Sequence, residues 1–332
     1  MTRPLVPIIM GSDSDRNFVE NQVVPRLRES GFYETPLRVA SAHKTPLHLY
    51  SVMLDYEPVL AAYAGHGQRE QLVSRQREMI VESGLIYITV AGRQNALGNT
   101  VSAMTPYPVI SLSPDENPER RLRNVLSAMD MPSGVAAIHT MNVDKVGMLA
   151  AKLAAYAEPR LNPLVLAVMD FEFYCVRQQR EEFARELAGD LKRFGINYED
   201  VKLLAYDDIE LNNFLARRNN EMRHTSVVYV SINMTQNYSF AHKLAAKTKD
   251  AVISYLYDDS SQEFLPRLMN EPAGSVVIPV LEPGSIGLLA AKIFSLSFPK
   301  IRKSLREYQA ELRDKIEEAD KRLQSETAAG AV

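Results

Sequence analysis

The chain has 332 residues, 46% hydrophobic and 24% charged, which is ordinary globular composition and about two domains of polypeptide. Its 38 basic and 41 acidic residues leave a formal charge of -3, so no global field draws it to nucleic acid or an anionic membrane, and a small molecule is the expected ligand. The one cysteine, Cys175, excludes an intrachain disulfide and a thiolate metal cluster. No apolar run reaches about 18 residues, and the apolar Leu5 to Met10 is too short for a signal peptide, so a cytoplasmic protein is expected.

In chain order, Leu5 to Met10 reads as a strand, broken by the turn Gly11-Ser12-Asp13-Ser14-Asp15. Phe18, Val19, Val23 and Leu27 then supply the apolar face of a helix that Pro25 must kink or restart and Gly31 caps. A strand at Leu37 to Ala40 follows, and another at Leu85 to Val90. The same plan restarts at Leu164. Strand Leu164 to Met169 is followed by a helix with Phe183, Leu187, Leu191 and Phe194 on one face, by the cap Gly195, and by a strand at Val201 to Leu204. Later segments repeat more openly. Gly147-Met148-Leu149-Ala150-Ala151-Lys152 lies 140 positions ahead of Gly287-Leu288-Leu289-Ala290-Ala291-Lys292, and Val109-Ile110-Ser111 returns as Val252-Ile253-Ser254.

Ordered matches of this kind predict a duplication. The expectation is two tandem three-layer α/β/α lobes at 1–160 and 161–332, joined near Glu158 to Pro163, each a parallel flavodoxin-like or Rossmann-like sheet flanked by helices. After Pro299, residues Ile301, Leu305, Tyr308, Leu312, Ile316 and Leu323 predict a long amphipathic C-terminal helix that packs on another lobe or subunit.

Three segments fall at predicted strand ends, where such folds bind ligands. The Gly11 to Asp15 turn combines a permissive glycine with hydroxyls and helix-start amides, which suits either a phosphate cradle or a plain capped turn. Ser41-Ala42-His43-Lys44-Thr45 places an imidazole, which titrates near neutrality, beside a cation and hydroxyls. Ala91-Gly92-Arg93-Gln94-Asn95-Ala96-Leu97 places a guanidinium and an amide at a third strand end, able to hold an anion or simply to face solvent.

These segments, together with Tyr107-Pro108-Val109-Ile110-Ser111 and Met131-Pro132-Ser133-Gly134, resemble the phosphoribosylaminoimidazole carboxylase family over roughly residues 3 to 160. The resemblance is to the animal and spirochaete type that uses carbon dioxide directly. The mutase of the related ATP-coupled route typically has Arg where Lys44 stands and a glycine-rich, His-containing loop where Arg93 to Leu97 stands. The resemblance implies carboxylation of 5-aminoimidazole ribonucleotide in purine biosynthesis, with carbon dioxide or bicarbonate as co-substrate and no metal, biotin or ATP. It implies His43 and Lys44 as catalytic residues, and Gly11, Ser12, Asp13, Asp15, Ser41, Ala42, Gly92, Arg93, Asn95 and Leu97 around the substrate. It also implies that two-lobed chains form a homotetramer in place of the family's octamer.

Two features depart from the family. About twenty extra residues lie between Tyr56 and Leu85, including His66 between glycines, which is either a second acid/base group or a loop residue; Gln94 stands where serine is usual. In the second lobe Asp170-Phe171-Glu172-Phe173-Tyr174 replaces the phosphate turn, Tyr206-Asp207-Asp208 replaces Ala42-His43-Lys44, and Ser231-Ile232-Asn233-Met234 offers no arginine. Carboxylates there repel a phosphate, so a degenerate lobe is expected. The competing expectations are a same-fold carboxylase or decarboxylase for another nucleotide, and a silent nucleotide-binding or scaffolding homologue.

Overall fold

A computed structural model describes residues 3–57, 74–92, 96–129, 134–158, 160, 162–169, 177–203, 208–222, 224–233, 239–256 and 275–330. Among them, short β-branched runs form two five-stranded parallel sheets. The first contains β1 (Ile8–Met10), β2 (Leu37–Val39), β3 (Tyr87–Val90), β4 (Val109–Leu112) and β5 (Ile138–Thr140), ordered β2-β1-β3-β4-β5. The second contains β6 (Asn162–Met169), β7 (Asn197–Lys202), β8 (Thr225–Asn233), β9 (Val252–Leu256) and β10 (Ile278–Val280), ordered β10-β9-β8-β6-β7. Read from the other edge, the second order is that of the first. This is the flavodoxin-like winding, whose switch point lies between the first and third strands of each sheet.

Helices cover both faces of each sheet. The first lobe has α1 (Val24–Glu29), α2 (Pro46–Tyr56), α3 (Ser74–Ser83), α4 (Ala96–Met104), α5 (Pro118–Met129) and α6 (Val146–Ala154). The second has α7 (Arg177–Arg193), α8 (Asp208–Glu221), α9 (Ser239–Lys247) and α10 (Pro283–Phe294), and α11 (Pro299–Gly330) is the long terminal helix. In the first lobe α1 packs on α6, and α7 on α10 repeats this; α4 adjoins α5 in the first lobe, and α8 adjoins α9 in the second. Period-two alternation divides β6 between two cores: Val165, Ala167 and Met169 face the one shared with the first lobe, Leu164, Leu166 and Val168 the other.

The expected Pro25 break takes the form of a π-helical turn, Val19–Val23, with Pro25 in the first turn of α1, where its missing N–H costs no helical bond. Gly31 and Gly195 cap α1 and α7 at φ 84° and 69°, a conformation that penalises a side chain. One expected strand is corrected. The segment Val201 to Leu204 is displaced to Asn197–Lys202, because pairing begins opposite Leu164 immediately after the cap, and the polar alternation of that edge strand hides it from hydrophobicity alone.

The two lobes are joined by a reciprocal contact. Lys152 at the end of α6 donates from Nζ to the carbonyls of Ala245 and Thr248, both at 2.9 Å, at the carboxyl end of α9. Its repeat counterpart Lys292 on α10 donates to Ser102 and Thr105, both at 2.6 Å, at the carboxyl end of α4. Each lysine thus supplies charge and hydrogen bonds to carbonyls at the carboxyl end of the other lobe's helix. The amphipathic α11 lies across both lobes. Ile301 and Leu305 are buried, Gln309 Nε2 donates to Ala103 and Thr105 at 2.9 and 3.0 Å, and Tyr308 meets Phe194 edge to face. Its outer part is exposed, as at Ile316.

Candidate active site

In a parallel sheet all strands end on the same side, so the loops after β1, β2 and β3 emerge together at the switch point. After β1, Gly11 donates its N–H to Val90 O at 2.8 Å, and a side chain there would approach Ala91 Cβ at 3.2 Å. The glycine therefore lets the first turn sit directly against the end of β3. Ser12 caps a 3-10 turn at Asp13–Asp15: its Oγ accepts from Ser14 N at 3.3 Å, and its own N–H donates to Asp15 Oδ2 at 3.1 Å. Asp15 is buried and its carboxyl is raised by desolvation, opposed by the Ser12 amide; Asp13 is exposed and pairs with Arg16 at 2.9 Å.

After β2, Ala40 N–H donates to Met10 O at 2.8 Å, tying the second loop to the first strand. Ser41 N–H donates to Thr45 Oγ1 at 3.0 Å, and Lys44 N–H to Ser41 Oγ at 3.1 Å, so Ser41 and Thr45 close a turn around Ala42, His43 and Lys44. His43 and Lys44 are exposed at the crest, and α2 starts behind them at Pro46. The helix is fixed to the sheet by Asp55, which accepts from Arg38 Nη1 on β2 at 2.7 Å while almost wholly buried.

After β3, Gly92 O accepts from Asn124 Nδ2 at 3.0 Å, and the same amide reaches Ser113 Oγ at 3.2 Å after β4. Arg93, Gln94 and Asn95 lie outside the described residues, as do His66, Asp170 to Tyr174, Tyr206 and Asp207. Leu97 is 2% exposed, so it anchors the start of α4 in the core below the loop. The helix sits there because Gly98 has no side chain: a Cβ would lie 2.3 Å from Ser111 Oγ and 3.0 Å from Thr89 Oγ1.

Gly11, Ser12, Asp13, Asp15, Ser41, Ala42, His43, Lys44 and Gly92 thus all lie at one sheet edge around the switch point. Asn124 and Ser113 were not foreseen, since an asparagine mid-helix has no local signal for a carbonyl acceptor 32 positions earlier in the chain. In the second lobe, Asp208 is the first residue of α8 and lies at the equivalent strand end. Among the described residues, no group of three or more His, Cys, Asp or Glu could hold a metal ion, and no helix is long and apolar enough to cross a membrane.

A family model described as AIR carboxylase matches residues 59–170, beginning beyond the first two of these loops. A phosphoribosylaminoimidazole carboxylase of Archaeoglobus fulgidus is 30% identical over 148 residues, covering 45% of this chain and 67% of that one. An N5-carboxyaminoimidazole ribonucleotide mutase of Mycobacterium tuberculosis is 32% identical over 195 residues, covering 58% of this chain and 96% of the relative. A solved PurE structure from Treponema denticola, 26% identical, covers 49% of this chain and 99% of its own with a TM-score of 0.43. The strand order, the loops at the switch point and a relative matched over nearly its whole length converge: the chain belongs to the AIR carboxylase family.

Proposed function

We propose that the first lobe carboxylates 5-aminoimidazole ribonucleotide with carbon dioxide in purine biosynthesis, without ATP and without a cofactor. The observation that carries this reading is the convergence of the Ser12 turn and the His43 loop on one sheet edge, linked through the Ala40 to Met10 hydrogen bond. Ser12 and Asp15 take the ribose phosphate part of the substrate, and Ser41, His43 and Lys44 surround the imidazole, with Arg93 and Asn95 closing the pocket. Carbon 4 of the aminoimidazole, an enamine-like nucleophile, forms a carbon–carbon bond to carbon dioxide, whose π electrons move to oxygen to give the carboxylate. The ring proton at carbon 4 then passes to His43 as general base, and in reverse the imidazolium returns it as carbon dioxide leaves.

An ultraviolet assay with aminoimidazole ribonucleotide and bicarbonate, without ATP, tests this. Turnover should be lost by a factor of about 10² to 10⁴ in His43→Asn, with an unchanged circular-dichroism spectrum. A folded wild-type protein that turns over neither direction sinks the reading.

A second reading is favoured by the Mycobacterium tuberculosis relative, whose name is that of the mutase. It requires conversion of the N5-carboxylated ribonucleotide, and Lys44 stands against it. Offering both substrates to the same protein separates the two reactions.

We further propose that the lobes divide near residues 158–163 and arose by duplication, and that the second has lost its nucleotide site while keeping the interlobe contact. On this reading the chain is cytoplasmic and four copies assemble as a homotetramer. Mass photometry at the monomer mass refutes that assembly.

A further inference from the structure

The second lobe has a cavity of about 470 Å³ at the edge of its sheet remote from the strand ends just described. Its lining residues Arg160, Thr225 and Asp250 lie at or just before the starts of β6, β8 and β9, which identifies the amino edge. The volume lies in the range of small-molecule pockets, about 300 to 1,000 Å³. This place is separate from the first-lobe loops in both lobe and sheet edge, so a ligand here does not depend on the proposed reaction.

The lining is arranged by chemistry. Met222, half-buried, and the buried Val227 and Tyr229 supply the apolar part of the lining. Asp250 is buried among them and is the acceptor at the base; Thr248 Oγ1 donates to it at 3.3 Å, and Arg160 Nη1 lies 3.9 Å away. Four cations surround the opening. Arg160 also donates to Thr225 O at 3.2 Å, Arg218 makes a fork with Glu199, and Lys247 reaches Asn212 at 2.8 Å; Lys249 is exposed at the rim. Arg218 keeps a buried Nε that no hydrogen bond satisfies. The cavity is thus lined by four cations, Arg160, Arg218, Lys247 and Lys249, and one carboxylate, Asp250, with Glu199 paired to Arg218.

We propose that this cavity binds a phosphate-bearing small molecule of nucleotide size. Its phosphate sits among Arg160, Arg218, Lys247 and Lys249, its flat part lies against Met222, and a hydroxyl or amine donates to Asp250. A compact dianion suits several converging cations, and a ring covers the apolar part of the lining that a bare ion leaves wet. First-lobe residues hold the cavity wall. Lys152 holds the carbonyls of Ala245 and Thr248, and Tyr156 donates to Val227 O and accepts from Ala251 N–H at 2.9 Å. A ligand that orders this wall therefore also tightens the lobe interface.

The test uses the full chain, with adenosine 5'-monophosphate, inorganic phosphate and adenosine as separate probes in isothermal titration calorimetry. Saturable, salt-sensitive binding of the monophosphate is expected, with phosphate competing weakly and adenosine not binding. The exposed double substitution Lys247→Glu with Lys249→Glu should weaken the monophosphate by about tenfold or more and leave the fold intact. A second variant, Ser12→Asp, places a negative charge in the first-lobe turn and should leave this binding unchanged. No binding of the monophosphate, binding indifferent to the lysine substitutions, or binding lost in Ser12→Asp overturns the proposal.

Discussion

The two lobes share a strand order, a pair of glycine caps and a reciprocal lysine contact, but they differ at individual positions of their helices, strands and strand ends. Gly98 in the first lobe corresponds to Ala241 in the second, counted from Val109 and Val252, and His139 in β5 corresponds to Pro279 in β10. At the strand ends the first lobe has serines, a histidine and a lysine, where the second has the acidic start of α8. The lysines of the lobe contact are the same residue type in both lobes, while the strand ends at the switch point carry different residue types. Packing constrains the former through many neighbours at once, and a ligand alone constrains the latter.

The interlobe lysines give the largest expected difference. Lys292 is fully buried, and beyond its two carbonyl acceptors it faces Glu57, a buried carboxylate that accepts from Tyr87 Oη at 2.9 Å and from Thr105 Oγ1, with Arg306 3.7 Å away. Burial pulls the lysine below its usual range, held back by the Glu57 charge, and burial pushes Glu57 up, opposed first by the Thr105 hydrogen bond, then by Arg306 and Tyr87 and least by Lys292. Lys292→Met should lower stability by about 3 to 5 kcal/mol, since it removes a buried cation that faces Glu57 and bonds the carbonyls of Ser102 and Thr105. Lys152→Met, whose site is half-buried, should cost only about 1 to 2 kcal/mol. Urea denaturation of both variants measures the difference, and equal losses refute the asymmetry.

Acid should expose a second contrast. His139 is buried, and desolvation lowers it to about 4 from 6.5, so the folded lobe takes up its proton later than the unfolded chain. This contribution is intact above about 6.5 and is lost as pH falls towards about 4. The slope is about 1.4 kcal/mol per unit. His139→Leu should flatten that part of the stability curve, whereas Pro279 contributes nothing to titrate.

Gly98→Ala should cost about 1 to 3 kcal/mol, as the added methyl pushes α4 off Ser111 and Thr89. The counterpart helix already carries Ala241 there. Thermal melts of Gly98→Ala and Ala241→Gly should therefore both move downward, the first from overpacking and the second from a lost contact and a looser helix.

Much of this was legible in the residues. The alternation of β-branched runs with three-and-four spacing announced strands and helices, Gly31 and Gly195 announced their own caps, and the repeat announced two similar units. The His43 and Ser12 segments stood out because polar, chemistry-bearing residues directly follow apolar strands. The edge strand Asn197–Lys202 was misplaced because its alternation is polar, and edge strands carry a weak hydrophobic signal.

The sequence by itself determined the order of elements, the repeat and the residue types available at each strand end, because those follow from local propensity and spacing. Only the tertiary structure decided what Lys152 and Lys292 do, what Glu57 meets, and that cations from α8, from α9 and from the segments before β6 and β9 converge on one cavity. In each case the partners are brought together by chain crossing rather than by neighbourhood: Lys292 and its acceptor Ser102 are 190 positions apart, a separation at which no local pattern records contact.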